Sequence, residues 1–436
     1  MRAVFAWLTI VRFGIVQASI AAITVLPIAT LPRLMIEELG LLAIAPGVLI
    51  GVHYAVQISR LRFGYGSDVG GRRTPFILGG LYGLGVAGVL AALSLVLMGE
   101  MPLVGYFAAM ASYALVGVAV GAAGTTLLAL LATTVSPERR APAATIVWLL
   151  MIAGLVAAAK LGGDALIPYS DAQLVRVSIA ISIIAAAIGT AALWGVERSA
   201  RPQQAQAAER KAPPGGMMAA FRQVWNEPAA RGFTIFVFIS MFAYNMQELV
   251  LEPFSAAVFG LSPGESTKLS GDHHAGVLVG LVIIAVVGRL LRGRSGAMVA
   301  VTVAGCLCSA ASLTAISASA FFAPDWPLGA TVMVFGLSNG IFAGAAIASM
   351  FSLAGVGAEQ REGTRMGIWG AAQAIGFGTG MFFGAMWLDV ARFNVTEPAA
   401  FASVFAFEAL IFVVAAALAL RLARGHALPA ANPVPA

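Results

Sequence analysis

The chain has 436 residues, of which 60% are hydrophobic and 11% charged, with a net charge of +6. Soluble domains carry roughly 25% charged residues, so this chain has too little polar surface to cover a water-soluble core of its size. A bilayer is the solvent that suits it. The positive charge does not point to nucleic acid, because the basic residues sit in short loops between apolar runs.

A spanning helix needs about 20 mostly apolar residues. Windows of that kind predict spans near 12–32, 43–60, 75–98, 103–134, 142–166 and 174–196. A second set falls near 231–252, 273–291, 296–320, 327–354, 364–388 and 400–422. The first run is followed by Leu31-Pro32-Arg33 and acidic residues rather than a small-residue cleavage site, so it reads as a retained helix. The expectation is an all-α integral membrane protein of twelve transmembrane helices in two six-helix halves. The halves would cover residues 1–196 and 231–422, with a cytoplasmic tail at 423–436.

The stretch 197–230 between them contains Pro202, Gln203, Gln204, Gln206, Pro213, Pro214, Gly215 and Gly216, a flexible linker composition. Its second part, Met217, Met218, Phe221, Val224 and Trp225, repeats apolar residues at helical spacing, with Arg222 and Asn226 on other faces. Such a pattern suits a short amphipathic helix on the membrane surface. An ordinary loop is the plainer alternative.

Lysine and arginine placement sets the orientation. With the N-terminus in the cytoplasm, Arg33, Arg176, Lys268 and Arg392 are the basic residues outside, and Lys160 lies within the fifth span. The other 21 of the 26 fall inside. Such a bias predicts both termini in the cytoplasm. Lys160 is expected to reach toward water or to pair with Asp164. Glycines at 376, 380 and 384, and at 79 and 83, recur every four residues, a spacing that lets helix backbones approach in lipid. Cys306 and Cys308, two apart on one helix, diverge and read as small core residues.

The loop between the second and third spans runs Arg60-Leu-Arg-Phe-Gly64-Tyr-Gly66-Ser-Asp68-Val-Gly70-Gly71-Arg72-Arg73-Thr-Pro75. Gly64, Asp68, Gly71, Arg72 and Arg73 together resemble the loop signature of the major facilitator superfamily, with Val69 where a basic residue is usual. Glycines permit the tight turn, and Asp68 can cap a helix or pair with an arginine. The loop between spans eight and nine, Gly288-Arg289-Leu-Leu-Arg292-Gly293-Arg294, resembles a degenerate copy without the aspartate. Repetition at corresponding places of two halves supports a major-facilitator-like, parallel-repeat fold.

A second resemblance extends over most of the chain. It rests on Arg33-Leu-Met-Ile-Glu-Glu-Leu-Gly40, on His53-Tyr-Ala-Val-Gln57 with Arg62-Phe-Gly-Tyr-Gly-Ser-Asp68, on Asn245-Met-Gln-Glu-Leu-Val-Leu-Glu-Pro-Phe254, and on Gly367-Ile-Trp-Gly-Ala-Ala-Gln-Ala-Ile-Gly-Phe-Gly378. These segments, in this order, resemble the PucC family, a branch of the major facilitator superfamily found in phototrophic bacteria. The resemblance implies a pigment-handling role in the photosynthetic inner membrane. Bacteriochlorophyll or a late precursor would be the cofactor or cargo, and antenna subunits and pigment biosynthesis enzymes the partners, beside membrane lipid.

Several residues are candidates for that role. His53 lies well inside a predicted span, and a neutral imidazole can ligate the magnesium of a chlorin; Gln57 is one turn along the same face. Hydrogen bonding to a neighbouring helix is the structural alternative. Gln247, Glu248 and Glu252 put two carboxylates one turn apart on the seventh span, expected to face the same way, as proton site, magnesium ligand or contact surface. Alternatively Pro253 ends that helix and the glutamates meet water. Trp369 and Gln373 offer an aromatic face and an amide that suit a pigment groove or plain packing. His273 and His274, beside Asp272 at a predicted membrane edge, are expected to be solvated, and His426 lies in the tail.

Three functions compete on these residues. Pigment delivery or antenna assembly rests on the family segments. A secondary transporter of a small hydrophobic solute fits the fold, although few embedded charges beyond Lys160, Glu248, Glu252 and Glu408 are available for proton coupling. Catalysis is not expected. The six aspartates, Asp68, Asp164, Asp171, Asp272, Asp325 and Asp389, are dispersed, and no nucleophile–base motif or phosphate-cradling loop occurs.

Overall fold

The computed structural model describes residues 2–60, 63, 72–135, 140–197, 222, 225–290, 297–354 and 362–425. All regular structure among them is helical. Most of the linker, the tail beyond Gly425 and the loop residues Gly64, Asp68 and Gly71 lie outside the described residues, as does most of the amphipathic segment.

The first half consists of α1 (Arg2–Val25, continued to Glu38 by two wider π-helical turns around a short α-helical one), α2 (Ile44–Ala55), α3 (Thr74–Glu100), α4 (Pro102–Thr134), α5 (Arg140–Ala165) and α6 (Asp171–Leu193). The second consists of α7 (Pro228–Met246), α8 (Leu251–Phe259), α9 (Pro263–Leu290), α10 (Ala297–Ser319), α11 (Leu328–Ala354), α12 (Glu362–Arg392) and α13 (Glu397–Gly425). Among the described residues, ten helices are long and apolar enough to cross a membrane, or eleven if the bent pair α7 and α8 is one span. The short apolar α2 occupies the place of the second predicted span.

Local chemistry explains the starts and stops. Pro102 and Pro228 open α4 and α7, where a missing N–H is harmless. Ser170 caps α6 by accepting the Gln173 N–H at 3.1 Å. Ser262 and Glu265 form a reciprocal capping box ahead of α9, and Gly260, at φ +70°, ends α8. Large apolar side chains such as Leu103, Phe107, Leu161 and Ile183 are mostly exposed, the outward face expected against lipid.

The two halves use the same packing plan. In the first, α1 packs on α5 and α6, α2 on α4, and α3 on α4 and α6. In the second, α7 packs on α12 and α13, α9 on α11, and α10 on α11 and α13. The halves meet through α5 on α9 and α2 on α12, which are equivalent pairs under that repeat. This is the fold expected of parallel repeats.

Glycine carries the closest approaches. A Cβ at Gly380 would collide with the Phe242 carbonyl oxygen, so α12 lies directly on the α7 backbone, as the spacing of 376, 380 and 384 predicts. On α3 the outcome differs. Gly79 and Gly83 face open or ordinary space, and the neighbouring Gly80 meets the Ala123 backbone of α4.

Polar contacts between the halves gather at the end of the bundle remote from the termini. Lys160 pairs with Asp272 at 2.5 Å and Lys268 with Asp164 at 2.7 Å. Lys160 therefore crosses to the other half instead of joining Asp164, because α9 brings a carboxylate closer than its own helix does. Asp389 accepts the N–H groups of Ala43 (2.8 Å) and Ile44 (2.7 Å), tying α12 to the start of α2. Arg392 reaches Glu37 at 3.0 Å, and Arg33, paired with Glu38 at 2.6 Å, also donates to the Leu261 carbonyl at 2.9 Å.

Candidate functional site at the junction of the halves

The seventh span does not run straight through the acidic segment. After Met246 it tightens into a 3₁₀ turn, Gln247–Leu249, and bends by 40° before α8. This break overturns the expected i, i+4 alignment of the two glutamates. Pro253 does not end a helix; it sits in the first turn of α8, where its missing N–H is tolerated. Glu252 is buried with its Oε2 3.4 Å from the Ser266 hydroxyl, while its Oε1 has no partner. Glu248 turns toward α9 and lies 3.8 Å from His274 Nε2. Gln247 is fully buried with both amide atoms unpartnered.

His53 and Gln57 do meet. Both are buried, and the Gln57 Nε2 lies 2.9 Å from the His53 Nε2. Arg60 donates to the Gln57 Oε1, so the amide nitrogen is the atom that faces the ring. His53 therefore accepts at Nε2 and carries its proton on Nδ1, which is buried without a partner. The arrangement offers a hydrogen-bond donor; metal ligation at Nε2 requires displacement of Gln57. The adjacent Tyr54 ring lies edge-on to His53 and interacts electrostatically with Glu248, which links this pair to the acidic segment.

The second imidazole pair is inside, not solvated. α9 begins at Pro263, ten residues before the predicted start, and carries His273 and His274 into the bundle. His273 is buried, stacked on Phe335 at 5.2 Å, with its Nε2 3.5 Å from Asn339 Nδ2. Ser309 holds the Asn339 oxygen at 2.8 Å. His274 Nδ1 lies 2.8 Å from the Ser270 carbonyl, a contact that places a proton on Nδ1 and turns Nε2 toward Glu248. Glu408, from α13, is fully buried with both oxygens unpartnered and interacts electrostatically with Glu248. The hydropathy windows missed this group because Glu265, Lys268 and Asp272 lower the score of α9, although Asp164 and Lys160 neutralise two of those charges from the other half.

Trp369 and Gln373 stand apart from the cluster. Trp369 is buried against Phe233 of α7, with ring centroids 4.8 Å apart, and Gln373 Nε2 faces the Met241 sulfur at 3.8 Å. Of the loop signature, Arg72 is exposed and Arg73 opens α3. The Arg73 and Thr74 N–H groups donate to Glu197 at 2.5 and 3.0 Å, and the Arg73 side chain donates to the Ala129 carbonyl at 3.1 Å. Partial burial alone would raise the Glu197 pKa. The Thr74 and Arg73 hydrogen bonds outweigh it and hold that carboxyl below its ordinary value.

Helical repeats joined at α5–α9 and α2–α12, around buried polar residues, define a multi-pass membrane protein of major-facilitator type. A family described as PUCC protein matches residues 30–427, and the chain belongs to that family. It is 44% identical over 428 residues to the "Bacteriochlorophyll synthase 44.5 kDa chain" of Rhodobacter capsulatus, covering 97% of each chain. It is 28% identical to "Protein PucC" of the same organism, covering 95% of this chain and 92% of the relative. Among solved structures, a bacterial homolog of the human lysosomal transporter Spinster, in an inward-facing and occupied conformation, superposes with a TM-score of 0.67. That match has 16% identity and covers 97% of both chains, a likeness of fold.

Proposed function

We infer that the chain handles bacteriochlorophyll, or a late precursor, within the photosynthetic inner membrane, delivering it to light-harvesting complexes or assisting their assembly. The observation that carries this reading is the 44% identity, along the whole length, to a relative named for bacteriochlorophyll synthase. Membership of the PUCC protein family supports it. The distribution of basic residues supports a cytoplasmic position for both termini. The reading assigns no catalytic step to this chain; association with a pigment synthase and with antenna subunits belongs to the same proposal.

Within that reading, the His53 Nδ1–H is the group best prepared to meet a pigment, since it is a buried donor with no acceptor of its own. It suits a ring carbonyl, with Gln57 fixing the imidazole. Magnesium ligation at His53 would instead need Nε2 released from Gln57. A bound chlorin would supply the light absorption by which occupancy is read. Gln247, with both amide atoms unpartnered, is a second polar contact, and Glu248 and Glu252 line the same junction.

Purification in mild detergent from a pigment-producing cell tests the proposal. The expected result is bacteriochlorophyll absorption with the protein, or copurified antenna subunits or pigment enzymes, and a lower pigment stoichiometry in His53→Ala. Protein free of both pigment and partners would overturn it. The alternative, a secondary transporter of a small hydrophobic solute, draws on the likeness to the Spinster homolog and on two buried glutamates, Glu252 and Glu408. Solute uptake by pigment-free vesicles would favour it.

A further inference from the structure

We propose that Glu248, His273 and His274 form a binding site for a divalent transition-metal ion of the zinc class, set between α7 and α9. One ligand atom from each of the three lies within 4.8 Å of the other two. The Glu248 carboxylate and the His274 Nε2 are already 3.8 Å apart, a span that a tetrahedral ion closes with small side-chain movements.

The chemistry around the ligands favours a metal over a plain ion pair. His274 keeps its proton on Nδ1 through the Ser270 carbonyl, the outer contact that fixes ring orientation in metal-ligating histidines. Its Nε2 therefore points to Glu248. His273 is held by stacking on Phe335, and its contact with Asn339, at 3.5 Å, is long enough to yield to a stronger ligand bond.

An independent observation comes from outside the three ligands. The Glu408 carboxylate is fully buried, has no hydrogen-bond partner on either oxygen, and interacts electrostatically with Glu248. Glu252 interacts with Glu248 in the same way, and Arg33 is the cation that acts on it. Tyr54 and Tyr244 also interact electrostatically with Glu248. A buried carboxyl group with no hydrogen-bond partner is costly in a low-dielectric interior, and a cation held at Glu248 would give Glu408 a neighbour of opposite charge. Imidazole nitrogens select zinc-class ions over magnesium or calcium, which prefer all-oxygen shells. The three ligands come from the turn that ends α7 and from α9, whereas His53 is on α2.

Full-length protein, made in a host without pigment and carrying a tag free of histidine, is stripped with chelator and titrated with Zn²⁺ alone. The expected result is one equivalent bound per chain, with affinity at least about tenfold weaker in Glu248→Gln or His274→Ala. Unchanged affinity in both variants, or no Zn²⁺ held by protein that elutes as a single folded species, overturns the proposal. X-ray absorption on the Zn²⁺-loaded wild type gives a reading that needs no variant. Two imidazole nitrogens and one carboxylate oxygen at about 2.0–2.1 Å support the site, and a shell of sulfur or of oxygen alone sinks it. Cys308→Ser, outside the cluster, should retain the full stoichiometry. Because the protein is pigment-free, these outcomes do not depend on pigment handling.

Discussion

The Lys160 ammonium of α5 crosses to the Asp272 carboxylate of α9, while Asp164, four residues further along α5, takes Lys268 of α9. The two pairs are crossed copies of one another, and both join the first half to the second. Both are exposed to solvent, which screens them. Neutralising both lysines, as Lys160→Gln with Lys268→Gln, is expected to loosen this end of the bundle. A cysteine placed at the buried Ala43, in a background without Cys306 and Cys308, should then react measurably faster with a maleimide. An unchanged rate would mean that the pairs do not hold the halves together. Reversing one pair, Lys160→Asp with Asp272→Lys, should return the slow rate.

Close contact of α12 with α7 makes Gly380 intolerant of any side chain. Gly380→Ala forces a methyl group against the Phe242 carbonyl, and overpacking of this kind costs about 1–3 kcal/mol. The thermal midpoint in detergent should fall. Gly79→Ala, where a Cβ meets nothing, should leave it unchanged or raise it slightly.

Glu197 gives the sign of a pH effect. Its folded pKa is depressed, so the stability it contributes is present above the ordinary carboxylate value of 4.5 and is lost as pH falls through the lower folded value. Glu197→Gln should therefore unfold earlier than the parent at pH 7. The gap should close in acid, and a gap that widens there would contradict the assignment of Arg73 and Thr74 as donors.

Glu408 is predicted to trade stability for function. A buried carboxylate with no partner destabilises the fold, so Glu408→Leu should raise the thermal midpoint measured without added metal. Pigment or partner recovery from a producing cell should fall in the same variant. A drop in both would instead identify Glu408 as a packing residue.

The architecture was legible because spanning helices are written locally: long apolar runs separated by basic loops predict spans without any knowledge of neighbours. α4 shows this well, with 103–134 predicted and Pro102–Thr134 found. The start of α9 was not legible in that way. Its charged first turns read as loop until Lys160 and Asp164, more than 100 residues away, supply the partners that admit them to the bundle. His273 and His274 were displaced to the membrane edge by the same error. The pairing of His53 with Gln57 followed from helical spacing alone, whereas the divergence of Glu248 and Glu252 did not. One available sign was Pro253, which fits a helix only in its first turn and so implies a break three or four residues earlier.

That break has a mechanical consequence. α8 is a rigid rod of nine residues, about 13 Å long, hinged at Val250 and tethered at its far tip, where the Leu261 carbonyl holds Arg33 of the first half. A swing of only 10° about the hinge carries that tip through about 2 Å. Whatever changes the balance of charge around Glu248 and Glu252 acts near the fulcrum of this arm. The arm passes it to the opposite half as displacement, so the bent span can work as a lever between occupancy at the junction and the closure of the bundle's end.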